Sequence, residues 1–394
     1  MNKRSVRDLD VGGKRVLVRV DFNVPVKNGQ VTDDTRIRRA LPTIRHLLEN
    51  GARPVLISHR GRPKGEPDPK YAMDPVAKRL EELLGVPVLK LDAAVGQEVE
   101  EALKNRNAEG GVVLLENSRF YPGETKNAPE FAEQLATLAD LYVDDAFGAA
   151  HRAHATTVGV AERLPAAAGL LMEDEIDYLD KVLLNPERPF VAILGGAKVS
   201  DKLGVIESLL SVADTLLIGG AMCFTFFKAQ GFEVGKSLVE DEYVEEAGRL
   251  MNEAGEGLVL PVDIVVAKRM EETASAKVVR VGEIPENTMG LDIGPETVER
   301  FGEHIMGART VFWNGPMGVF EIDAFARGTE GVARAVAGSG ATSIVGGGDS
   351  VAAVSKLGLE EAMSYISTGG GASLEYVEGK ELPGIAVLPN KEDA

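Results

Sequence analysis

The chain has 394 residues, 44% of them apolar, and a net charge of −18, the profile of a globular protein long enough for two domains of ordinary size. The acidity is uneven: residues 1–185 hold 26 Lys and Arg against 29 Asp and Glu, and the remainder holds 17 against 32. A chain this acidic argues against nucleic-acid binding, which needs a basic face, so basic clusters in the first half read as small-ligand sites. The single cysteine, Cys223, rules out an internal disulfide framework and fits a reducing cytosol. No signal-peptide apolar region follows MNKRSVRDLD, and the longest apolar stretch, around Thr215–Phe227, is too short to span a bilayer. A cytoplasmic protein with no membrane partner is expected.

Strands are predicted over Val16–Val24, Pro54–Ser58, Val112–Glu116, Leu141–Asp144, Phe190–Leu194, Thr215–Ile218, Val259–Val266, Thr310–Trp313, Thr342–Val345 and Ser364–Ile366. Between them lie segments with apolar residues at three- and four-residue spacing, such as Asp74–Leu84 and Ala128–Ala139. Alternation of this kind predicts an α/β protein with parallel sheets wrapped by helices. Leu164-Pro165, an acidic helical segment over Met172–Leu184 and the linker Asn185-Pro186-Glu187-Arg188-Pro189 put the boundary near the middle.

Glycine and arginine are segregated across that boundary. TRIRRA, HRGRPKG, NSRF and HRAH lie before it; GGAK, IGG, GGGDS and TGGGAS lie after it. Arginine grips small anions with a fixed fork of donors, and glycine lets a phosphate approach backbone N–H groups. Nearly every cluster directly follows a predicted strand, where ligands bind in parallel α/β sheets. Arg119 and Arg152 each read alone as structural ion pairs, and together as ligand contacts. Lys198 and Lys202 would share one helical face if a helix began near Lys198. GGGDS reads equally as a phosphate loop, with Asp349 toward Mg²⁺, or as a turn with Asp349 as helix N-cap. Gly235-Lys236-Ser237 resembles the end of a Walker A loop, but Gln230 stands where its glycine is required, and no strict G-x-G-x-x-G occurs.

The ordered motifs VRVDFNVPV, DDTRIRRALPTI, SHRGRPKG, LLENSRFYPGE, VDDAFGAAHRAHATT, ILGGAKVSDKL, IGGAM, MGLDIGP, FWNGPMGVFE, VGGGDS and STGGGASLE resemble phosphoglycerate kinase from about Val18 to the end of the chain. The resemblance implies two Rossmann-like three-layer α/β/α domains joined by a hinge helix: residues 1–170 for phosphoglycerate, 171–188 as connector, 189–378 for nucleotide, with the tail 379–394 packing back on the first. It implies reversible transfer of the acyl phosphate of 1,3-bisphosphoglycerate to MgADP, giving 3-phosphoglycerate and ATP, by a cytoplasmic monomer. Asp21, Phe22, Asn23, Arg36, His59, Arg60, Gly61, Arg62, Arg119 and Arg152 would bind the phosphoglycerate. Gly196, Ala197, Lys202, Gly219, Gly290, Asn314, Glu321 and Gly347–Ser350 would bind ADP or ATP, with Asp349 on Mg²⁺. Arg36, Lys198, Gly348 and Gly371 would carry the transfer itself. Two other readings are weighed: a two-domain NAD-dependent oxidoreductase, disfavoured by the missing dinucleotide fingerprint, and a non-enzymatic binding protein for anionic metabolites.

Overall fold

The computed structural model describes residues 2–105 and 111–393; residues 1, 106–110 and 394, which fall in the stretches expected to form the first domain and the returning tail, lie outside the described residues. Two compact units emerge, one running to Asp177 and resuming at Glu381, the other spanning Tyr178–Lys380. The division falls inside the helix Leu170–Leu183, not at its ends.

In the first unit, six parallel strands form one sheet: β1 (Arg15–Arg19), β2 (Arg53–Ile57), β3 (Val88–Lys90), β4 (Val112–Leu114), β5 (Leu141–Asp144) and β6 (Ala166–Ala168), in the spatial order β3-β4-β2-β1-β5-β6. The central strands are buried on both faces because helices cover both. Helix α1 (Thr35–Glu49) turns Ile37, Ala40, Leu41, Ile44 and Leu47 inward at helical spacing, into a core shared with Val16, Val18 and Leu56. The C-terminal segment belongs to this unit: Arg4 N–H donates to Pro389 O, and Gly384 N–H to Ala150 O.

The second unit has β7 (Phe190–Leu194), β8 (Thr215–Ile218), β9 (Leu258–Val259), the antiparallel trio β10 (Asp263–Ala267), β11 (Lys277–Arg280) and β12 (Met289–Ile293), then β13 (Thr310–Asn314), β14 (Thr342–Gly346) and β15 (Tyr365–Ile366). The parallel sheet runs β9-β8-β7-β13-β14-β15. Counted within this sheet alone, the order is 3-2-1-4-5-6, the Rossmann order. Its direction reverses between β7 and β13, where such folds bind ligands.

Several predicted strands shift by one or two residues at an end, Val112–Glu116 for instance stopping at Leu114, and three predicted elements differ by more. The first strand stops at Arg19, not Val24, because its partners β2 and β5 end level with it; beyond, Asp21 Oδ1 accepts from Asn23 N–H and turns the chain. Val259–Val266 is two strands in two sheets, divided at Leu260-Pro261. GGAKVSDK is not a helix start: residues 195–202 run through turns and the helix α3 begins at Leu203 (Leu203–Val212).

Candidate active site

Each sheet carries its chemistry beyond the carboxyl ends of its strands. In the first unit, β1 leads into Asp21, Phe22 and Asn23, and β2 into His59–Arg62. Arg36 lies in the first turn of α1, where its Nη1 donates to Asp21 Oδ2 at 2.7 Å. Asn23 Oδ1 accepts from Gly61 N–H at 2.8 Å, tying the first loop to the second. Arg119 follows β4; it is buried, and its Nη1 donates to Gly61 O at 2.7 Å while its Nε has no partner. Arg152 lies beyond β5 and its Nε donates to His151 Nε2 at 3.0 Å. Arg62 is exposed.

Arg36 pairs with Asp21, but Arg62, Arg119 and Arg152 make no ion pair with a carboxylate among the described residues. Burial, then the charges of Arg152 and Arg19, pull the Arg119 guanidinium down to about 10, against a smaller opposing pull from Glu124. Burial first, then Arg19, Arg119, Arg152 and Arg36, hold His59 well below its ordinary range. Burial, Arg119, Arg19 and Arg152 bring His154 down to about 4. Both imidazoles are therefore neutral at physiological pH. A buried cluster of positive charge with neutral histidines is arranged for an anion. Arg60 is turned elsewhere: its guanidinium donates to Lys70 O, and its N–H to Asn117 Oδ1 at 3.2 Å.

Sequence reasoning missed Arg19, Glu124 and Thr156. Arg19 is 1% exposed at the end of β1, and Glu124 and Thr156 are fully buried. A charge flanked by Val18 and Val20 inside a mostly apolar strand was the available signal for Arg19.

In the second unit, three loops at the switch point are knitted by backbone. Gly195 N–H donates to Asn314 O, Gly196 N–H to Pro316 O, Gly219 N–H to Leu194 O and Gly220 N–H to Met317 O. Lys202 is nine-tenths buried, and its Nζ donates to Asn314 O at 2.9 Å and Asn314 Oδ1 at 2.6 Å. That bond fixes the amide of Asn314, whose Nδ2 is a buried donor without a partner. Burial lowers the Lys202 ammonium to about 8, with Asp349 the first of two carboxylates opposing it. Lys198, by contrast, is exposed and makes no ion pair among the described residues. Lys198 and Lys202 do not share a helical face.

Strand β14 runs through Gly346 into Gly347 and helix α4 (Gly348–Lys356). Gly347 is the N-cap, so Asp349 is not; it is exposed in the first turn. Ser350 is buried, and its Oγ accepts from Gly315 N–H at 2.6 Å. Gly371 opens the helix α5 (Gly371–Val377) after β15. Gly290, in β12, donates its N–H to Ser237 Oγ at 2.9 Å. Ala197 and Glu321 are exposed on loops beyond β7 and β13.

Gly347 has φ of +88°, and a Cβ there would stand 3.1 Å from Asn314 Nδ2. Gly347→Ala is expected to destabilise the second unit by about 1–3 kcal/mol. Urea unfolding followed by fluorescence of Trp313, the chain's only tryptophan and fully buried in that unit, measures it. An unchanged midpoint and slope would show that the backbone relaxes freely there.

Over its whole length the chain is similar to proteins of one family. The sequence profile of the family described as phosphoglycerate kinase matches residues 6–380. The phosphoglycerate kinase of Rubrobacter xylanophilus is 77% identical over 393 residues, covering all of both chains. That of Thermosipho africanus is 56% identical, covering all of this chain and 99% of the relative. The solved phosphoglycerate kinase of Coxiella burnetii superposes with a TM-score of 0.88 at 44% identity, and that of Pyrococcus horikoshii with 0.85 at 35%; each comparison covers 98% of both chains.

Proposed function

The chain belongs to the phosphoglycerate kinase family, and from that premise we propose how its residues divide the work. The enzyme transfers the acyl phosphate of 1,3-bisphosphoglycerate reversibly to ADP, giving 3-phosphoglycerate and ATP. The observation that carries our assignment is the cation cluster around Arg119 and His59, buried and short of carboxylates.

On this reading Arg36, Arg62, Arg119, Arg152 and His59 bind the phosphoglycerate anion, with Asp21 and Asn23 shaping the loop and Phe22 and Gly61 lining it. Arg60 contributes its backbone, since its guanidinium is held by Lys70 O. In the second unit Gly196, Ala197, Gly219, Gly290 and Glu321 surround the nucleoside. Asn314 Nδ2, Lys202 and the Gly347–Ser350 loop face its phosphates. The unpartnered amide of Asn314 and the bare N–H groups at the start of α4 support this.

The carboxylate of 3-phosphoglycerate is already ionised at neutral pH. It attacks the γ-phosphorus of ATP as the bond to the ADP oxygen breaks, and no proton is moved. The residues therefore need only align the reactants and offset charge on the transferring group. Lys198 and Arg36 are assigned that task, with the N–H groups of Gly348 and Gly371. Helix α2 (Leu170–Leu183), which begins in one unit and ends in the other, is the proposed hinge whose motion excludes water.

No group of three metal-ligating side chains occurs among the described residues. Asp349 alone suits a Mg²⁺ ion that arrives on nucleotide phosphates and keeps most of its own water. Bound there, Mg²⁺ would supply charge neutralisation to the nucleotide phosphates, with Asp349 holding it. A cytoplasmic setting is proposed from the free, buried Cys223, and a monomer from the resemblance to the family alone. No helix among the described residues is long and apolar enough to cross a membrane.

Purified protein given 3-phosphoglycerate, ATP and Mg²⁺ should form an acyl phosphate that hydroxylamine traps as a hydroxamate, and chelation of Mg²⁺ should stop it. Equal turnover under chelation would remove the metal from the scheme, and Asp349 with it.

Lys202 makes a pH-dependent prediction. Its folded pKa lies near 8, below the ordinary 10.5. The unfolded chain thus binds more protons between about pH 8 and 10.5, and stability rises with pH through that window. A nucleotide phosphate restores the charged form, so binding at about pH 8.5 should take up a proton. Calorimetry in two buffers of different ionisation enthalpy should show uptake in the natural protein and less in Lys202→Gln. Identical apparent enthalpies in the two buffers would exclude Lys202 from phosphate contact.

A further inference from the structure

We propose that Arg19 is a positioning residue for the phosphoglycerate site: it holds His59 in the tautomer with its proton on Nε2, so that the ring offers the anion a donor. The proposal rests on the reading that His59 touches that anion, and goes beyond it by naming what aims the proton.

The geometry is a chain of donors with one possible direction. Arg19 Nη2 lies 2.9 Å from His59 Nδ1. A guanidinium has donors only, so Nδ1 must bring a lone pair. A neutral ring with a bare Nδ1 carries its proton on Nε2. An imidazolium would set two N–H donors against each other, and the surrounding arginines disfavour it as well. The opposite neutral tautomer, with Nδ1 protonated, would meet the same clash and would turn a lone pair toward any substrate oxygen.

Arg19 cannot swing away. Its Nε donates to Thr156 Oγ1 at 2.9 Å, and Nη1 donates to Val20 O. Thr156 in turn donates its hydroxyl to Glu124 Oε1 at 2.6 Å and its N–H to Glu124 Oε2 at 3.0 Å. Ser118 Oγ adds a longer bond to the same carboxylate at 3.3 Å. A threonine hydroxyl has one proton; spending it on Glu124 leaves its lone pairs for Arg19. The order Arg19 to Thr156 to Glu124 is therefore fixed, as is the order Arg19 to His59. Glu124 supplies the buried counter-charge that lets Arg19 stay inside the fold. None of the three needs to touch substrate: they act through one imidazole.

Long-range ¹⁵N–¹H correlation spectra of the full-length protein test this directly, with the His59 signals assigned by their loss in His59→Gln. The expected natural spectrum shows a pyridine-type Nδ1 and a pyrrole-type Nε2, unchanged between pH 6 and 8. In Arg19→Met the ring should lose that fixed pattern, and KM for 3-phosphoglycerate should rise about tenfold or more, with KM for ATP nearly unchanged. Arg19→Lys retains one donor and should restore part of both readouts. Arg19→Met leaves Glu124 uncompensated and can fail to fold, so a second pair of variants is needed. A glutamine amide reaches the Nε2 position and an asparagine amide only the Nδ1 position. KM for 3-phosphoglycerate should therefore rise less in His59→Gln than in His59→Asn. A natural ring protonated on Nδ1, or doubly protonated, overturns the proposal. The expected tautomer with KM unchanged in both histidine variants instead overturns the reading that His59 touches the substrate, and the two failures appear in different measurements.

Discussion

Lys198→Ala is expected to lower kcat by about 10²–10³ while leaving nucleotide affinity within about threefold. The two lysines of the GGAKVSDK segment are four residues apart, yet their surroundings are opposite. Lys202 is buried and anchored twice on Asn314. Its loss would leave an orphaned carbonyl and a loosened loop, so Lys202→Ala should weaken nucleotide binding and stability together. Lys198 is exposed on a turn beyond β7 and supports nothing in the unit by ion pairing. Its removal should not disturb the fold, and any large effect must arise when substrates are bound. A charge that meets the transferring group only in the transition state lowers kcat and kcat/KM alike. Steady-state kinetics with both substrates varied, beside equilibrium titration of ADP, separates the two lysines. Near-natural turnover in Lys198→Ala would end its assignment to phosphoryl transfer. An equal loss of ADP affinity would move it into ground-state binding.

Much of the fold is legible in the sequence, and the exceptions have physical causes. The parallel architecture followed from alternating strand and helix signals, because strands buried on both faces are continuous apolar runs. Strand ends were less legible. Val20–Val24 still alternates like a strand, but a strand exists only where a neighbour pairs with it, and β2 and β5 run out at Ile57 and Asp144. Ala166–Ala168 escaped notice because alanine has weak β-propensity; its place is set by pairing with β5. At the site, residues after strands were legible because ligand chemistry gathers there. Arg19, Thr156 and Glu124 were not, because their roles depend on contacts 32 to 137 positions apart in sequence. The supposed helical face of Lys198 and Lys202 failed for a related reason: the glycines admit several backbone paths, and turns cross-linked to residues 314–317 took the place of a helix.

The second large effect concerns Arg36, and its partner decides how the experiment should be built. Arg36→Ala should lower kcat by about 10²–10³, and Arg36→Lys should recover little of it. The guanidinium is split between two tasks. Nη1 is held by Asp21 Oδ2 at 2.7 Å, while the side chain remains about one-third exposed and its other nitrogens are available. The pair is only partly desolvated, with Asp21 buried and Arg36 one-third exposed, so solvent screens part of its contribution to stability. Its value lies in orientation: it turns the remaining edge of the fork in a fixed direction. Lysine has the charge without the fork, so one ammonium would have to choose between Asp21 and the anion. Asp21→Asn keeps an acceptor beside Nη1 and should cost about tenfold at most. Asp21→Ala frees the guanidinium and should raise KM for 3-phosphoglycerate as well as lower kcat. If Asp21 works only by aiming Arg36, then Asp21→Ala in an Arg36→Ala background should add almost nothing. Full additivity in that double mutant would show that Asp21 meets the substrate on its own account. An Arg36→Lys enzyme with near-natural kcat would show that charge alone suffices at this position, and that the fork held by Asp21 has no part in the transfer.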